Sequence, residues 1–258
     1  MQITRNGLGI YINECFLPYY GSMILLGLLV SAVIGFLLVK RLGKSSIIFA
    51  LLVMCGLSGG FVGAKLLYLL IHWKDLNFSN WAGVMQSGFV FYGGIIGALV
   101  TLFFIQKAGK VDVLPYIQVG IACVPIAHGF GRIGCHLVGC CYGIAYSGLG
   151  AKVYTDSFVD GLNGRAVFPV QLTEAIWLFA LGVMMSLYVW NKRKTKGILS
   201  WYLAGYALLR FCLEFLRGDR IERKIYGPFS TSQWISIFLI VGVIGATVLK
   251  RNKKQSAL

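Results

Sequence analysis

Residues 20–39 read YGSMILLGLLVSAVIGFLLV, twenty positions without one charged side chain. Hydrocarbon about 30 Å thick is crossed by roughly 20 mainly apolar helical residues, so this run has the length and character of a transmembrane helix. No basic region stands directly before it and no small-residue cleavage pattern follows, which predicts a retained helix rather than a signal peptide. Six further runs repeat the pattern, at about 46–71, 88–106, 113–131, 171–190, 197–216 and 231–249. The whole chain agrees: of 258 residues 57% are hydrophobic and only 13% charged, too apolar for an ordinary soluble domain. Intrinsic disorder is excluded by the same figures, and a barrel by apolar stretches that are continuous rather than alternating. The expected fold is an all-α polytopic membrane protein, one transmembrane domain over 1–258 with seven helices and a small outer loop region at 143–169.

The formal charge of +15 sorts by position. Thirteen of the 24 cations fall in alternate connections and the tail: Lys40, Arg41 and Lys44, then Lys107 and Lys110, then Lys192, Arg193, Lys194 and Lys196, and finally Lys250, Arg251, Lys253 and Lys254. Cytoplasmic segments collect Lys and Arg, so the C-terminus is predicted inside and the N-terminus outside, and no nucleic-acid partner is needed to explain the excess. The other cations stand where that rule disfavours them. Lys65 lies in the second span, Arg132 at the outer end of the fourth, and Arg210 in the sixth with Glu214 four residues on. Arg217, Arg220, Arg223 and Lys224 make the following outer loop basic, suited to anionic lipid headgroups. Ionisable groups at membrane depth are costly and face a partner, a cavity or a substrate path.

The densest chemistry is His128-Gly-Phe-Gly131-Arg132-Ile-Gly-Cys135-His136-Leu-Val-Gly-Cys140-Cys141-Tyr-Gly143. Its glycines admit close backbone approach, either by a ligand or by a neighbouring helix in a small-residue seam. Arg210 and Glu214, at i and i+4, share a helical face and can pair, with Arg217 on the same stripe. Phe91-Tyr92-Gly93-Gly94 interrupts the third span with a helix-weakening pair beside a phenol. Pro169-Val-Gln171-Leu-Thr-Glu174 has the chemistry of a helix start, and Ser230-Thr-Ser-Gln233 that of an N-cap. Cys135, His136, Cys140 and Cys141 do not match the usual zinc frames, so no metal and no cofactor is expected; a Cys135–Cys140 link and reactive thiols stay open. His72 and His128 read as isolated and structural.

These motifs, in this order, resemble bacterial prolipoprotein diacylglyceryl transferases over most of the chain. Gly131-Arg132 through Gly143 corresponds to the family signature, Gly-Ala-Lys65-Leu to its Gly-Ala-Arg-Leu, and Tyr92-Gly93-Gly94 to its His-Gly-Gly. Arg165, Pro169, Gln171 and Glu174, then Arg210-Phe-x-x-Glu214, and finally Thr231-x-Gln233 match later family motifs. The resemblance implies transfer of diacylglyceryl from phosphatidylglycerol, or another anionic phospholipid, to the lipobox cysteine of a preprolipoprotein at the outer face of the bacterial cytoplasmic membrane. On it, Arg132 binds the headgroup with Cys135, Gly93, Gly94, Gly143, Lys65 and Gln171. Arg210, oriented by Glu214, stabilises the leaving phosphate, and Tyr92 and Cys140 complete the catalytic set. Besides Lys65 for Arg, the chain departs from the family pattern at Tyr92, which replaces His, at Cys135, which replaces Asn, and at Cys140, which replaces Glu. Two alternatives therefore stand beside the first, a related transferase with Cys135, Cys140 or Cys141 as nucleophile, and a lipid-binding homologue without turnover.

Overall fold

The computed structural model describes residues 3–73, 83–84, 88–109, 111–218 and 225–255. Lys110, Arg220, Arg223 and Lys224 of the charge pattern lie outside them. Seven helices among the described residues are long and apolar enough to cross a membrane. They are α1 (Tyr19–Arg41), α2 (Ser46–Ile71), α3 (Phe91–Gly109), α4 (Leu114–Val138), α5 (Val170–Lys192), α6 (Ile198–Leu213) and α7 (Thr231–Gln255). Their surfaces are as apolar as their packed faces: Leu25, Leu29 and Val33 of α1 and Phe238 and Val241 of α7 are exposed, as lipid contact requires.

Residues ahead of α1 form an antiparallel sheet of β1 (Ile3–Asn6), β2 (Gly9–Ile12) and β3 (Cys15–Pro18). Asn6 turns the first hairpin, its Oδ1 accepting from the backbone N–H groups of Leu8 and Gly9. The 143–169 segment carries a small hairpin of β4 (Lys152–Val153) and β5 (Ala166–Val167). A third hairpin, β6 (Ile225–Tyr226) with β7 (Phe229–Ser230), leads into α7. There the expected N-cap is a full capping box: Gln233 N–H donates to Ser230 Oγ at 3.3 Å and Ser230 N–H donates to Gln233 Oε1 at 3.0 Å.

Among the helix boundaries that differ from the apolar runs, two bear on the candidate residues. The third helix begins at Phe91, so Tyr92-Gly93-Gly94 forms its first turn instead of interrupting it. The fourth continues to Val138, because Gly129, Gly131 and Gly134 are accommodated inside the helix, and Arg132 therefore sits well within it rather than at its end.

The chain divides into two compact units, Val39–Gly120 and the remainder, Met1–Leu38 with Ile121–Leu258. Within Val39–Gly120, α2 and α3 meet through glycine. A Cβ on Gly63 would collide with the Gly93 carbonyl oxygen, one on Gly93 with that of Gly63, and one on Gly97 with that of Gly59. Helices in lipid gain little from apolar burial and associate by close backbone packing, which these positions permit. Within the other unit, Gly27 of α1 lies against Ala127 and Phe130 of α4, and Gly134 against Tyr20 and Met23. Val170 and Leu178 of α5 pack with Leu209 and Leu213 of α6, and Trp177 Nε1 donates to the Gly205 carbonyl at 3.2 Å.

Candidate functional site

The α4–α6 region of the larger unit holds two buried ion pairs. Arg132 Nε lies 3.0 Å from Glu174 Oε1, and Arg210 Nη2 lies 2.9 Å from Glu214 Oε2. Both carboxylates are shut off from solvent, Glu174 at 1% and Glu214 at 0% exposure. The Arg210–Glu214 pair is the one expected from their spacing. Arg132–Glu174 was not: Glu174 read as a capping acid, whereas it lies one helical turn into α5 and points across to α4. His128, expected to be isolated, joins the same pair. Arg132 Nε donates to His128 Nε2 at 3.3 Å, and that nitrogen is 4.0 Å from Glu174. The signal was present in the sequence as the i, i+4 spacing of His128 and Arg132.

His128 stands beside the Arg132–Glu174 pair and packs toward α6. Its ring is 5.3 Å from that of Tyr206 on α6, and both Arg132 and Arg210 act on it electrostatically. Arg210 Nη2 also donates to Ser232 Oγ at 3.2 Å, while its Nη1 is buried with no hydrogen-bond partner among the described residues. Leaving a charged donor buried and unmade is expensive, and an anionic acceptor is the chemistry that would satisfy it. Arg217 does not continue the stripe. α6 ends at Leu213, a 3-10 turn covers Glu214–Leu216, and Arg217 is extended and 2% exposed.

A cavity of about 580 Å³ opens beside Arg132 and His128. Gly131, Cys135, Cys140 and Cys141 also line it, Tyr20 contributes a phenol, and Leu8, Phe16 and Phe158 supply apolar walls. A cation at one end of an apolar cleft suits an amphipathic ligand. Arg210 and Glu214 are not among the residues that line it.

The signature segment is folded so that its thiols converge. Gly139 and Cys141 adopt positive φ, 84° and 57°, which turns the chain back on itself directly after α4. The sulfurs of Cys135, Cys140 and Cys141 all lie within 4.8 Å of one another, and all three are free thiols. Spacing of five and six residues does not suggest such a cluster; the reversal at 139–141 creates it. Hydrogen bonding among the three pulls the Cys141 thiol below its ordinary pKa, helped by Arg217, and pushes Cys140 up. Gln171 fixes the turn from beneath, its Nε2 donating to the Cys140 carbonyl at 2.8 Å and to Tyr154 Oη at 3.4 Å. Burial raises the Tyr154 phenol to about 12, so it stays neutral and reaches His136 Nδ1 at 3.4 Å. Gly143 pairs with Arg217 as a β-bridge, and a Cβ there would strike the Phe168 carbonyl. Gln171 and Gly143 thus hold the segment in shape.

Four candidates belong to the other unit. Lys65, 8% exposed, sits 5.0 Å from the Phe89 ring centroid and 5.5 Å from that of Tyr68. Tyr92 is 62% exposed on the first turn of α3, and Gly93 is taken up by packing on α2, with Gly94 beside the same helix.

These features define a class, the polytopic helical membrane protein with two buried arginine–carboxylate pairs, one of whose arginines borders an apolar cleft. A family model described as prolipoprotein diacylglyceryl transferase matches residues 10–249. A Clostridium perfringens (strain 13 / Type A) protein named phosphatidylglycerol–prolipoprotein diacylglyceryl transferase 2 is 38% identical over 193 residues, 72% of each chain. The Clostridium tetani (strain Massachusetts / E88) protein named phosphatidylglycerol–prolipoprotein diacylglyceryl transferase is 33% identical over 237 residues, 92% of this chain and 94% of its own. The chain belongs to the prolipoprotein diacylglyceryl transferase family.

Proposed function

We propose that the protein transfers the diacylglyceryl unit of phosphatidylglycerol to the cysteine thiol of a preprolipoprotein lipobox, at the outer face of a bacterial cytoplasmic membrane. The names of its relatives support the substrates. The observation that carries the mechanism is the pair of buried guanidiniums, each held by a carboxylate, with Arg210 Nη1 left without a hydrogen-bond partner among the described residues. In the reaction the acceptor thiol gives its proton to water or to the departing phosphate, its sulfur bonds to the terminal glyceryl carbon, and the carbon–oxygen bond to phosphate breaks. The leaving glycerol phosphate takes the electron pair. Negative charge grows on that phosphate in the transition state, and preorganised guanidinium donors in a water-poor site stabilise it more there than in the ground state.

Arg132, exposed to the cavity, binds the headgroup phosphate, and Arg210 meets the charge that develops on departure. Glu174 and Glu214 set the planes of these guanidiniums, and the apolar walls of the cleft take the acyl chains. Tyr92 is assigned no step. The test is product analysis: purified protein, phosphatidylglycerol vesicles and a lipobox peptide should yield a thioether-linked diacylglyceryl peptide and one glycerol phosphate per turnover. A peptide that stays unmodified with well-folded protein overturns the reading.

A further inference from the structure

The three-thiol cluster has no part in holding phosphate, since thiols are weak donors and a neighbouring thiolate would repel the anion. Yet it is built with care. Two residues in positive φ gather the sulfurs, Gln171 pins the carbonyl of the middle cysteine, and buried Arg217 reaches Cys141. Cys140 and Cys141 are part-exposed and all three residues face the cavity that Arg132 lines. Three sulfurs within 4.8 Å need only a small contraction to bind one metal, because zinc–sulfur bonds of about 2.3 Å place tetrahedral ligands about 3.8 Å apart. Thiolate sets select soft d10 cations, and a site with three protein ligands and one open position is the arrangement of reactive rather than structural zinc.

We propose that Cys135, Cys140 and Cys141 ligate one zinc ion whose fourth position opens on the cavity and takes up the acceptor cysteine as its thiolate. The acceptor half of this statement rests on the transferase reading above; the metal half stands on the cluster alone. Each ligand thiol releases a proton to water as its sulfur–zinc bond forms. The three thiolates and the dication leave one negative charge, which Arg217 offsets. An acceptor thiol bound at the fourth position loses its proton likewise, since a metal-coordinated thiol is deprotonated outright. Its sulfur then attacks the glyceryl carbon, the phosphate leaves with the bonding electrons, and the metal changes neither its oxidation state nor its protein ligands. The segment that carries Arg132 thus brings nucleophile and leaving group to opposite needs: a metal for the sulfur, a guanidinium for the phosphate.

The test uses the full chain in detergent with a phosphine reductant, and cobalt(II) and zinc(II) salts as probes. Wild type should take up one equivalent of cobalt with thiolate-to-metal charge-transfer absorption, and zinc should displace it. Cys135→Ser, Cys140→Ser and Cys141→Ser should each weaken uptake beyond the roughly 10–100-fold that loss of an outer-shell partner brings, while Cys212→Ser should bind as wild type does. A lipobox peptide with cysteine, but not its serine analogue, should shift the visible cobalt bands. No stoichiometric uptake by wild type, or equal uptake by the serine variants with melting curves unchanged, overturns the site. So does a diacylglyceryl adduct on one of the three cysteines in intact-mass spectra, which makes that residue a nucleophile. Transfer at full rate after chelation removes the metal from the reaction and leaves the transferase reading intact. Metal uptake and a peptide-induced shift without any transfer would instead sink the transferase reading and keep the thiol site.

Discussion

The two units treat a buried cation differently. In Val39–Gly120, Lys65 rests against the faces of Phe89 and Tyr68, and the glycines of α2 and α3 are consumed by backbone contact. In the larger unit, Arg132 and Arg210 are each gripped by a carboxylate, and Gly131 of α4 has open space among the described residues where a Cβ would stand and borders a cavity instead. A ring face satisfies an ammonium without fixing a direction. A carboxylate fixes the plane of a guanidinium and leaves its other nitrogens aimed elsewhere. Small residues beside a buried cation therefore carry no functional meaning by themselves; what holds the cation, and whether space remains next to it, separates a packing seam from a site.

The sharpest way to break that contrast is Arg210→Lys. It keeps the charge and loses the fork, so turnover should fall by about 10²–10³, the cost of losing one preorganised transition-state donor, with the melting temperature nearly unchanged. Near-normal turnover would make Arg210 no different in kind from Lys65. Glu174→Gln should cost less, about ten- to a hundredfold in kcat/KM, because Arg132 and His128 stay but lose their alignment. Steady-state kinetics that show no rise in KM would remove Arg132 from headgroup binding. Gly63→Val should do the reverse of both, lowering stability by about 1–3 kcal/mol through overpacking against Gly93 and Gly97 while turnover per folded molecule is kept. A thermal melt in detergent reads the first quantity and an active-site-normalised rate the second. Smallest of all, Tyr92→Phe should lose far less than the ~10²-fold that follows removal of a general base, because the phenol is exposed on the first turn of α3. A larger loss would bring the smaller unit into the chemistry.

The helices were legible because one requirement, about 20 apolar residues, dominates every span. Arg210 with Glu214 was legible for a similar reason, being local in sequence. Glu174 reads from the sequence as part of a helix start, because an acid shortly after proline satisfies a capping rule on its own, and only the packing of α5 beside α4 sends it to Arg132. The thiol cluster was hidden by a backbone reversal: helical geometry separates Cys135 from Cys140 and Cys141, and positive φ at Gly139 and Cys141 brings them together. The N-terminal sheet left too short a pattern to announce itself, with four residues in each strand.

The central claim is that carboxylate-held arginines recognise an anionic phosphate headgroup, and binding in the absence of any acceptor thiol tests it most directly. Purified protein should retain phosphatidylglycerol over phosphatidylcholine and diacylglycerol in native mass spectrometry, and Arg132→Gln should weaken that preference about 10–100-fold, the value of a charge-assisted hydrogen bond of about 1.5–3 kcal/mol. Equal retention of all three lipids, or a preference that survives the substitution, would contradict the account.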